Sequence, residues 1–463
     1  MIEPISFSLN GEPVSAALRA DTTVLEYLRL HAALRGTKEG CAEGDCGACS
    51  VLVRKPGEER FQPANACIML LAQVHGGALV TVEGLAAQDH VVQKVLAENG
   101  SSQCGFCTPG IVAALAGLLD ANKNPSESDI HDGLAGNLCR CTGYRPIVEA
   151  AHKAAKSAPP ALPHAAVENG GKVTGHDQSQ ALHPSTLDEL FEMRAAHPHH
   201  VLLGGGTDSA LDVAHARSRW PVIINTAGVE ELRGFKERAG DLIIGGAASW
   251  ADILPHLARH WPSFAKLVRR FGSVQIRAMG TVAGNIATAS PIGDGAPSLI
   301  ALGAKIHLAG PKGERSLPLE EFFLDYRQTV LGGDEIIRAI HVPLPKPGED
   351  FRVYKVSKRY DQDISTVCGA FAFRHEDNRL SHVRIAYGGM AATPLRCVEV
   401  ETVLEGQALT QTTLSAARSA VKSTFTPLSD MRGSADYRAR VASNLLDRLA
   451  AELAGETVEV MAL

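Results

Sequence analysis

The order of apolar and polar residues divides the chain into segments of different kinds. Residues 5–9 and 13–18 alternate apolar and polar around an Asn-Gly dipeptide, which favours a two-residue hairpin turn. The next segment, DTTVLEYLRLHAAL, has leucines near helical spacing, and residues 21–23 are available as caps. With the strand-like SVLV and ALVTV that follow, this pattern predicts a small α+β domain over residues 1–84.

A helical pattern follows over residues 85–157. Its apolar segments are HVVQKVLAEN, PGIVAALAGLLDAN, ESDIHDGLAG and PIVEAAHKAAKS. Thr108 stands before Pro109, as a cap stands before a first-turn proline, so one helix is expected to start there. We therefore expect a small helical bundle.

The rest of the chain reads as a linker followed by two further domains. Residues 158–181 are rich in proline, glycine and polar residues, a composition that predicts a linker. Strand and helix patterns alternate over 182–346, and a last unit covers 347–463. The expected fold class is thus multidomain α+β.

Charge and terminal composition limit the partners. Lys and Arg number 45 against 51 Asp and Glu, so a net charge of -6 gives no basic surface for nucleic acid or an anionic membrane. The N-terminal residues have no leader pattern, and no apolar run reaches the roughly 18 residues that span a bilayer. We expect a cytoplasmic protein without a nucleic-acid or membrane partner.

The cysteines are concentrated in the first third of the chain. Eight of the ten lie between Cys41 and Cys141, and reduced, clustered thiols indicate metal or redox chemistry. The first set has the spacing C-x4-C-x2-C with Cys67 following, which is the plant-type 2Fe-2S pattern. Gly36, Gly40, Gly44 and Gly47, within and just before this loop, permit a tight wrap around a cluster. Structural zinc is the alternative, although zinc loops usually pair their ligands as C-x2-4-C twice over.

The second set is less decisive by spacing alone. Cys104 and Cys107 form a C-x2-C pair, and Cys139 and Cys141 follow after a helical stretch. A C-x2-C pair is also found in thioredoxin-like redox motifs and as half of a zinc site. The thioredoxin-like interpretation needs a βαβ context, which this helical segment lacks. The pattern favours a 2Fe-2S cluster and leaves zinc open.

Two later stretches are rich in glycine and other small residues. HVLLGGGTDSAL is a probable strand running into glycines, whose backbone N–H groups could meet a phosphate, but it matches neither the Rossmann nor the Walker pattern. FGSVQIRAMGTVAGNIATASPIGDG could equally surround a large polar ligand or form a compact loop core. Taken alone, the first stretch is more simply a tight turn.

Several motifs together resemble one family. GTKEGCAEGDCGACSV, QCGFCTPG and NLCRCTGYRPI resemble the iron–sulfur part of the molybdenum hydroxylases, the xanthine dehydrogenase and aldehyde oxidase family. The two glycine-rich stretches resemble the FAD-binding domain of this family, and DMRGSADYR resembles the domain after it. The resemblance implies a β-grasp, plant-ferredoxin-like domain, then a helical-bundle 2Fe-2S domain, then an FAD-binding α+β domain and a C-terminal α+β flavoprotein domain.

The resemblance also implies site residues. The first cluster is expected on Cys41, Cys46, Cys49 and Cys67, and the second on Cys104, Cys107, Cys139 and Cys141. The residues expected to contact FAD are Leu202, Leu203, Gly204, Gly205, Gly206, Thr207, Asp208, Ser209, Phe271, Thr281, Val282, Ala283, Gly284, Asn285, Asp294, Ile337 and Lys355. Tyr326 is expected near the nicotinamide of NAD+, and Arg359, Asp361 and Asp363 are expected to shape access to it.

The implied function is electron transfer. No segment is left for a molybdopterin domain, so the resemblance implies a large molybdopterin-binding partner subunit in an α2β2 heterotetramer, with Arg140 and the TGYRP turn facing it. Electrons are expected to pass from molybdenum through the second and first clusters to FAD and NAD+. Fusion of both cluster domains with the FAD domain is most similar to members that oxidise hypoxanthine and xanthine to urate.

Two alternatives stay open. One is the same kind of subunit in a hydroxylase for carbon monoxide, nicotinate or an aldehyde, since substrate contacts lie on the partner. The other is a zinc-stabilised interaction protein with vestigial cofactor loops. The visible spectrum distinguishes the second alternative, because iron–sulfur clusters and flavin are coloured and zinc is not.

Overall fold

The computed structural model describes residues 3–167, 171–175, 177–456 and 458. The chain forms two compact units. The first comprises Met1–Arg233 with Gly272–Gly280, and the second comprises Gly234–Phe271 with Thr281–Leu463. Among the described residues, no helix has the length and apolar character needed to cross a membrane.

The first unit begins with a five-stranded sheet of order β2-β1-β5-β3-β4, in which β1 and β5 are parallel. Its elements are β1 (Ile5–Leu9), β2 (Glu12–Ala16), α1 (Val24–Glu26) with a π-helical turn (Tyr27–His31), β3 (Ser50–Arg54), β4 (Gln62–Asn65), a 3-10 turn (Leu71–Val74) and β5 (Ala78–Val80). The predicted hairpin is confirmed, and Asn10 and Gly11 form its turn with φ of 53° and 94°. Thr23 caps α1, since its Oγ1 accepts from the Glu26 N–H at 3.1 Å.

The predicted helical segment is present. It contains α2 (Val82–Ala87), α3 (Val91–Glu98), α4 (Thr108–Ala121), α5 (Glu127–Leu134) and α6 (Arg145–Ala154). Helix α4 is buried along most of its length, because its Ala- and Leu-rich sequence is apolar on nearly every side. The cap of α4 is Cys107 and not Thr108, which is already helical, while Pro109 occupies the first turn as predicted.

A four-stranded sheet of order β6-β7-β9-β8 follows in the first unit. Its elements are β6 (Lys172–Thr174), β7 (Gln180–Leu182), α7 (Leu187–Ala196), β8 (Val201–Leu203), α8 (Leu211–Ala214) and β9 (Val222–Asn225). Strands β6 and β7 lie largely inside the stretch expected as a linker, and Val173 and Ala181 are fully buried. Two strands of three residues place few side chains inward, so their hydrophobic pattern was too short to recognise.

The second unit contains three antiparallel sheets. Its first part has β10 (Phe235–Arg238), β11 (Asp241–Gly245), α9 (Trp250–His260) and α10 (Pro262–Arg269); the chain then contributes α11 (Val274–Met279) to the first unit and returns as α12 (Val282–Ala287) and α13 (Gly295–Ala301). The strands that follow are β12 (Lys305–Gly310), β13 (Gly313–Pro318), β14 (Phe323–Asp325), β15 (Gln328–Thr329), β16 (Ile336–Pro343), β17 (Glu349–Val356), β18 (Val367–Glu376), β19 (Arg379–Gly388) and β20 (Leu395–Arg396). The last helices are α14 (Val398–Leu404), α15 (Gln411–Thr424) and α16 (Ala435–Leu453).

The sheets of this unit have the orders β10-β11-β16-β12-β13, β14-β15 and β17-β18-β19-β20. Helices α9, α10, α12 and α13 share one apolar core with strands of the first and the last of these sheets: α12 contacts β16, whereas α10 and α13 contact β17, β18 and β19. Helices α14, α15 and α16 form a second apolar core with the last sheet. The expected multidomain α+β fold class is confirmed.

Candidate cofactor sites

The first cysteine site is a loop between the π-helical turn and β3, completed by a residue after β4. Its thiols are those of Cys41, Cys46, Cys49 and Cys67. Gly44 and Gly47 have φ of 85° and 65°, a conformation in which an L side chain would be strained. A Cβ on Gly40 would lie 2.6 Å from the Cys46 sulfur. Glycine is thus required where the loop wraps most tightly, as the sequence suggested.

The thiols of this site lie in two pairs. The N–H of Cys41 donates to the sulfur of Cys46, and the N–H of Cys46 donates to the sulfur of Cys41, both at 3.3 Å. The sulfurs of Cys49 and Cys67 are 3.3 Å apart. One pair is half-buried and the other is buried.

Hydrogen bonds lower the pKa of one sulfur of each pair. The Cys46 thiol and then the Glu43 and Cys46 N–H groups lower the pKa of Cys41 to about 4. The pKa of Cys67 is raised, because this thiol donates to Cys49 and because it is buried. The pKa of Cys49 is lowered by the same hydrogen bond. Thiolate is the form of cysteine that binds metals.

The second site repeats the pairing with more exposure. Cys104 pairs with Cys141, and Cys107 pairs with Cys139, in each case through a hydrogen bond between the thiols. Cys104 and Cys141 are exposed, whereas Cys139 is buried. Burial and the bond to Cys139 raise the pKa of Cys107 to about 12.

Cys139 is held by the TGYRP turn. Its N–H donates to the Tyr144 hydroxyl at 2.8 Å, and its sulfur lies 3.0 Å from the Thr142 hydroxyl. Burial alone would raise the pKa of Cys139, but hydrogen bonds from Thr142, Cys107 and Cys141 together outweigh it and the pKa is lowered. Phe106 is 48% exposed and Leu138 is 63% exposed, so the site opens between two apolar side chains.

The arrangement of the thiols fits a 2Fe-2S cluster at both sites. Such a cluster has two irons and four thiolate ligands, so two thiolates serve each iron. A structural zinc ion instead takes four donors around one point. In the described ranges, no three histidine, cysteine, aspartate or glutamate side chains gather around a single ion position. Both sites instead present their sulfurs two by two. The assignment of the eight cysteines as ligands stays a prediction.

The two cysteine loops touch through their backbones. The N–H of Leu138 donates to the carbonyl of Cys46 at 2.9 Å. Leu138 directly precedes Cys139. One hydrogen bond therefore connects Cys46 of the first site to the residue next to Cys139 of the second site. This contact is between residues far apart in the sequence, and no sequence signal indicated it.

The first glycine-rich stretch lies in the first unit, at the end of β8. Leu203 is fully buried in the core, so only its backbone is available to a ligand, while Leu202 is partly exposed. A Cβ on Gly205 would lie 1.9 Å from the carbonyl oxygen of Met279, so packing against α11 alone already requires glycine there. The contact of Gly205 with the FAD pyrophosphate, which the family resemblance implies, stays a prediction.

A side chain that sequence reasoning missed also binds this stretch. Gln73 donates from Nε2 to the carbonyl of Gly205 at 3.2 Å, and its Oε1 accepts from the Leu70 N–H at 2.9 Å. Gly206 has φ of 77° and begins the turn through Thr207, Asp208 and Ser209. Within the first unit, Gln73, which follows Cys67 in the sequence, thus holds in place the stretch that is expected to bind the FAD pyrophosphate.

The second glycine-rich stretch lies in the second unit. Thr281 caps α12, and its Oγ1 accepts from the Gly284 N–H at 3.0 Å. Val282 and Ala283 are buried, and the Oδ1 atom of Asn285 is buried without a hydrogen-bond partner among the described residues. A ligand N–H or O–H can satisfy this oxygen, so the stretch fits a polar cofactor.

The other expected FAD residues are distributed around the same unit. Lys355 donates to Asp294 at 2.6 Å, and both side chains are buried. The Ser365 hydroxyl, which sequence reasoning missed, donates to the other oxygen of Asp294. Phe271 meets Trp250 edge-to-face at 4.8 Å, and Ile337 is a core residue. The buried polar group thus consists of Asp294, Lys355 and Ser365.

Of the residues expected near NAD+, Tyr326 and Arg359 are exposed, whereas Asp361 and Asp363 are partly buried. Tyr326 is 58% exposed in the turn between β14 and β15. Arg359 and Asp363 belong to a loop closed on itself, because the Arg359 N–H donates to Asp363 at 2.7 Å and its guanidinium donates to the Gln362 carbonyl at 2.9 Å.

Four known domain families match successive parts of the chain. They are a 2Fe-2S iron-sulfur cluster binding domain (residues 7–72), a 2Fe-2S binding domain (81–152), the FAD binding domain in molybdopterin dehydrogenase (177–345) and the CO dehydrogenase flavoprotein C-terminal domain (352–453). These matches support two 2Fe-2S clusters and FAD as the cofactors.

Full-length relatives give the same picture. The chain is 31% identical to the xanthine dehydrogenase/oxidase of Gallus gallus over 88% of its length, and 32% identical to the xanthine dehydrogenase of Emericella nidulans over 91%. It covers only 36% of either relative. A solved structure of carbon monoxide dehydrogenase from Hydrogenophaga pseudoflava is 29% identical with a TM-score of 0.56, over 60% of this chain and 98% of that one.

Proposed function

The chain belongs to the molybdenum hydroxylase family, as an iron–sulfur and FAD chain, and we propose that it is the electron-transfer subunit of a xanthine dehydrogenase. In this proposal a molybdenum cofactor on a large partner subunit oxidises hypoxanthine and xanthine to urate. Electrons then pass through the Cys104/Cys107/Cys139/Cys141 cluster and the Cys41/Cys46/Cys49/Cys67 cluster to FAD and NAD+. The expected assembly is an α2β2 heterotetramer.

The observation that carries the proposal is the difference in exposure between the two cysteine sites of the first unit, together with the contact between them. The second site is open to the outside, between Phe106 and Leu138, and can receive electrons from another protein. The first site is more buried, through Cys49 and Cys67, and is joined to the second by the bond from Leu138 to Cys46. An open site in contact with a more buried one is what a relay from a partner into the chain needs.

The chain's own residues support this relay. Backbone N–H groups of the first loop donate to cysteine sulfurs and so stabilise their negative charge, which is a known means of setting a cluster's potential. When bound, the clusters carry single electrons and the flavin converts them to a hydride. Gln73 lies six residues after Cys67 and holds the Gly205 carbonyl of the expected FAD stretch.

The second unit would hold FAD through its buried polar residues. Lys355 is oriented by Asp294, which in turn is fixed by Ser365. The unpartnered Asn285 oxygen would accept a hydrogen bond from the cofactor.

A carbon monoxide dehydrogenase is the second candidate. The structural similarity to the Hydrogenophaga pseudoflava enzyme and the match of the C-terminal domain to a CO dehydrogenase flavoprotein domain favour it. Identity to xanthine dehydrogenases over nearly the whole chain favours the first candidate.

The test is to purify the chain together with its co-expressed partner. We expect iron for two 2Fe-2S clusters and one FAD for each chain, and a red-brown colour. Under anaerobic conditions, xanthine should bleach the flavin and produce NADH from NAD+. A colourless zinc protein would refute electron transfer, whereas bleaching by carbon monoxide and not by xanthine would support the second candidate.

Reduction of dioxygen without NADH formation would refute the proposed acceptor. Tyr326→Ala provides the local check, because it should raise the KM for NAD+ while xanthine still bleaches the flavin. An unchanged KM would remove Tyr326 from the NAD+ site.

A further inference from the structure

The segment Gly272–Gly280 comes from the flavin half of the sequence but belongs to the first unit. Its helix α11 is capped by Ser273, whose hydroxyl accepts from the Ile276 N–H at 3.1 Å. The Arg277 guanidinium, which is buried, donates to Asp132 of α5 at 2.7 Å. Lys55, which follows β3, donates to the Ala278 carbonyl at 2.9 Å. The segment is therefore fastened to both cysteine domains.

The side chain of Gln275 lies at the centre of this contact and is 1% exposed. Its amide nitrogen donates to the Ser50 hydroxyl at 3.0 Å and to the Asn137 side-chain oxygen at 2.9 Å. Ser50 follows Cys49 of the first site, and Asn137 precedes Cys139 of the second by two residues. One amide group thus holds both cysteine loops.

The network closes on the first loop. The Asn137 amide donates to the Gly47 carbonyl at 2.9 Å and to the Ser50 hydroxyl at 3.2 Å, and Ser50 donates to the Gly47 carbonyl at 2.8 Å. The side chains of Gln275, Asn137 and Ser50 are all buried. Buried polar networks of this kind fix one arrangement, because breaking one bond leaves a polar group without a partner.

Glycines allow the loops to approach this closely. A Cβ on Gly136 would lie 2.1 Å from the Gln275 Oε1, and a Cβ on Gly47 would lie 2.1 Å from the Gly136 carbonyl oxygen. The backbones therefore touch where Gln275 binds, and the Leu138–Cys46 bond lies in the same contact.

From this geometry we propose that Gln275 is a positioning residue that sets the separation and orientation of the two clusters. The inference rests on the proposed function, since it needs a cluster at each cysteine site. In the sequence, Gln275 lies between Phe271 and Thr281, which are expected FAD contacts. The proposal gives it a role in electron transfer between the two clusters. Gln275 itself touches neither set of cysteines, so it acts through Ser50 and Asn137.

The test compares Gln275→Met with Gln93→Met in the complex with the partner subunit. Methionine keeps the length of the side chain but removes both donated bonds. Gln93 also uses its amide to bind a carbonyl, that of Val82, but away from both cysteine loops. The readouts are the magnetic splitting between the two reduced clusters in EPR, which depends steeply on their separation and orientation, and the rate of electron transfer between them after photoreduction.

We expect Gln275→Met to retain both cluster signals but to change their mutual splitting. Transfer between the clusters should slow, because its rate depends steeply on the same separation and orientation. Gln93→Met should match the unmodified protein. Unchanged splitting and rate in Gln275→Met, with both clusters present, would overturn the proposal.

If Gln275→Met loses iron, Ser50→Ala decides, because it removes one acceptor and leaves the amide in place. A change of splitting in Ser50→Ala supports the role, and an unchanged splitting refutes it. Failure of the proposed function would look different, because the unmodified protein itself would then lack one or both cluster signals.

Discussion

The two cysteine sites of the first unit contain the same four-thiol donor set in very different surroundings. At the first site, Cys49 and Cys67 are buried and the loop presses against neighbouring backbone at Gly47. At the second, Cys104 and Cys141 are exposed and a Cβ on Gly143 would meet nothing within 4 Å. Both sites therefore offer the same kind of ligand. We expect their roles to differ because the rest of the chain covers their cysteines to different extents. An enclosed site suits an internal relay, and an open one suits exchange with a partner.

The largest expected effect is the loss of one cluster at a time. Cys67→Ser should abolish the first cluster's EPR signal and lower stability, because Cys67 belongs to the apolar core. Cys139→Ser should abolish or perturb the second signal and leave the first signal and the FAD content unchanged. EPR of the reduced protein with flavin and iron analysis checks both variants. If Cys139→Ser left both cluster signals unchanged, the ligand assignment at the second site would be wrong.

A glycine comparison tests the difference in crowding. Gly47→Ala should lower the free energy of unfolding by about 3 kcal/mol or more, because the new Cβ would lie 2.1 Å from the Gly136 carbonyl oxygen and because the φ of 65° strains an alanine. Gly143→Ala, which has a similar φ of 66° but open space, should cost only about 1 kcal/mol. Denaturant titrations of the two variants provide the measurement. Equal losses would show that the first loop is no more crowded than the second.

A charge at the open site should weaken the partner contact. Leu138→Glu places a carboxylate on the exposed rim and should reduce affinity for the large subunit by about tenfold to a hundredfold, as for central interface residues. Leu30→Glu, at another exposed leucine of the same unit, is the matched control. Binding measurements with the isolated subunits would show the difference. Similar affinities for the two variants would place the partner elsewhere.

The smallest expected effect is a loss of stability in acid. We expect more of this loss to come from His183 than from His90 of the helical domain. Burial and then the neighbouring His75 lower the pKa of His183 to about 4. Because the folded pKa lies below the usual value near 6.5, stability is complete above that pH and decreases as the pH falls towards 4. His183→Asn should flatten this dependence. His90→Asn, at the buried histidine of the helical domain whose pKa burial also lowers, should flatten it less. Unfolding titrations between pH 4 and 7 measure both slopes, and a larger change in His90→Asn would reverse the assignment.

Local elements could be read from the sequence where a short-range rule applies. The hairpin at Asn10–Gly11 follows from turn chemistry, and the helices between 91 and 154 follow from apolar periodicity. The strands β6 and β7 were missed because three-residue strands show no periodicity and acquire their stability from neighbouring strands. The cap of α4 was misplaced by one residue, since Thr108 is a good capping residue but the helix already includes it.

By itself, the sequence determined which thiols are available, the spacing that groups them and the family to which they point, because ligand type and loop length are local properties. Only the tertiary structure decided how the thiols pair, which site is open, and that Leu138 meets Cys46. It also decided that the side chain of Gln275, to which no sequence pattern gave a role, binds both Ser50 and Asn137. The Leu138 and Gln275 contacts join segments more than eighty residues apart, and such contacts are fixed by the packing of whole domains.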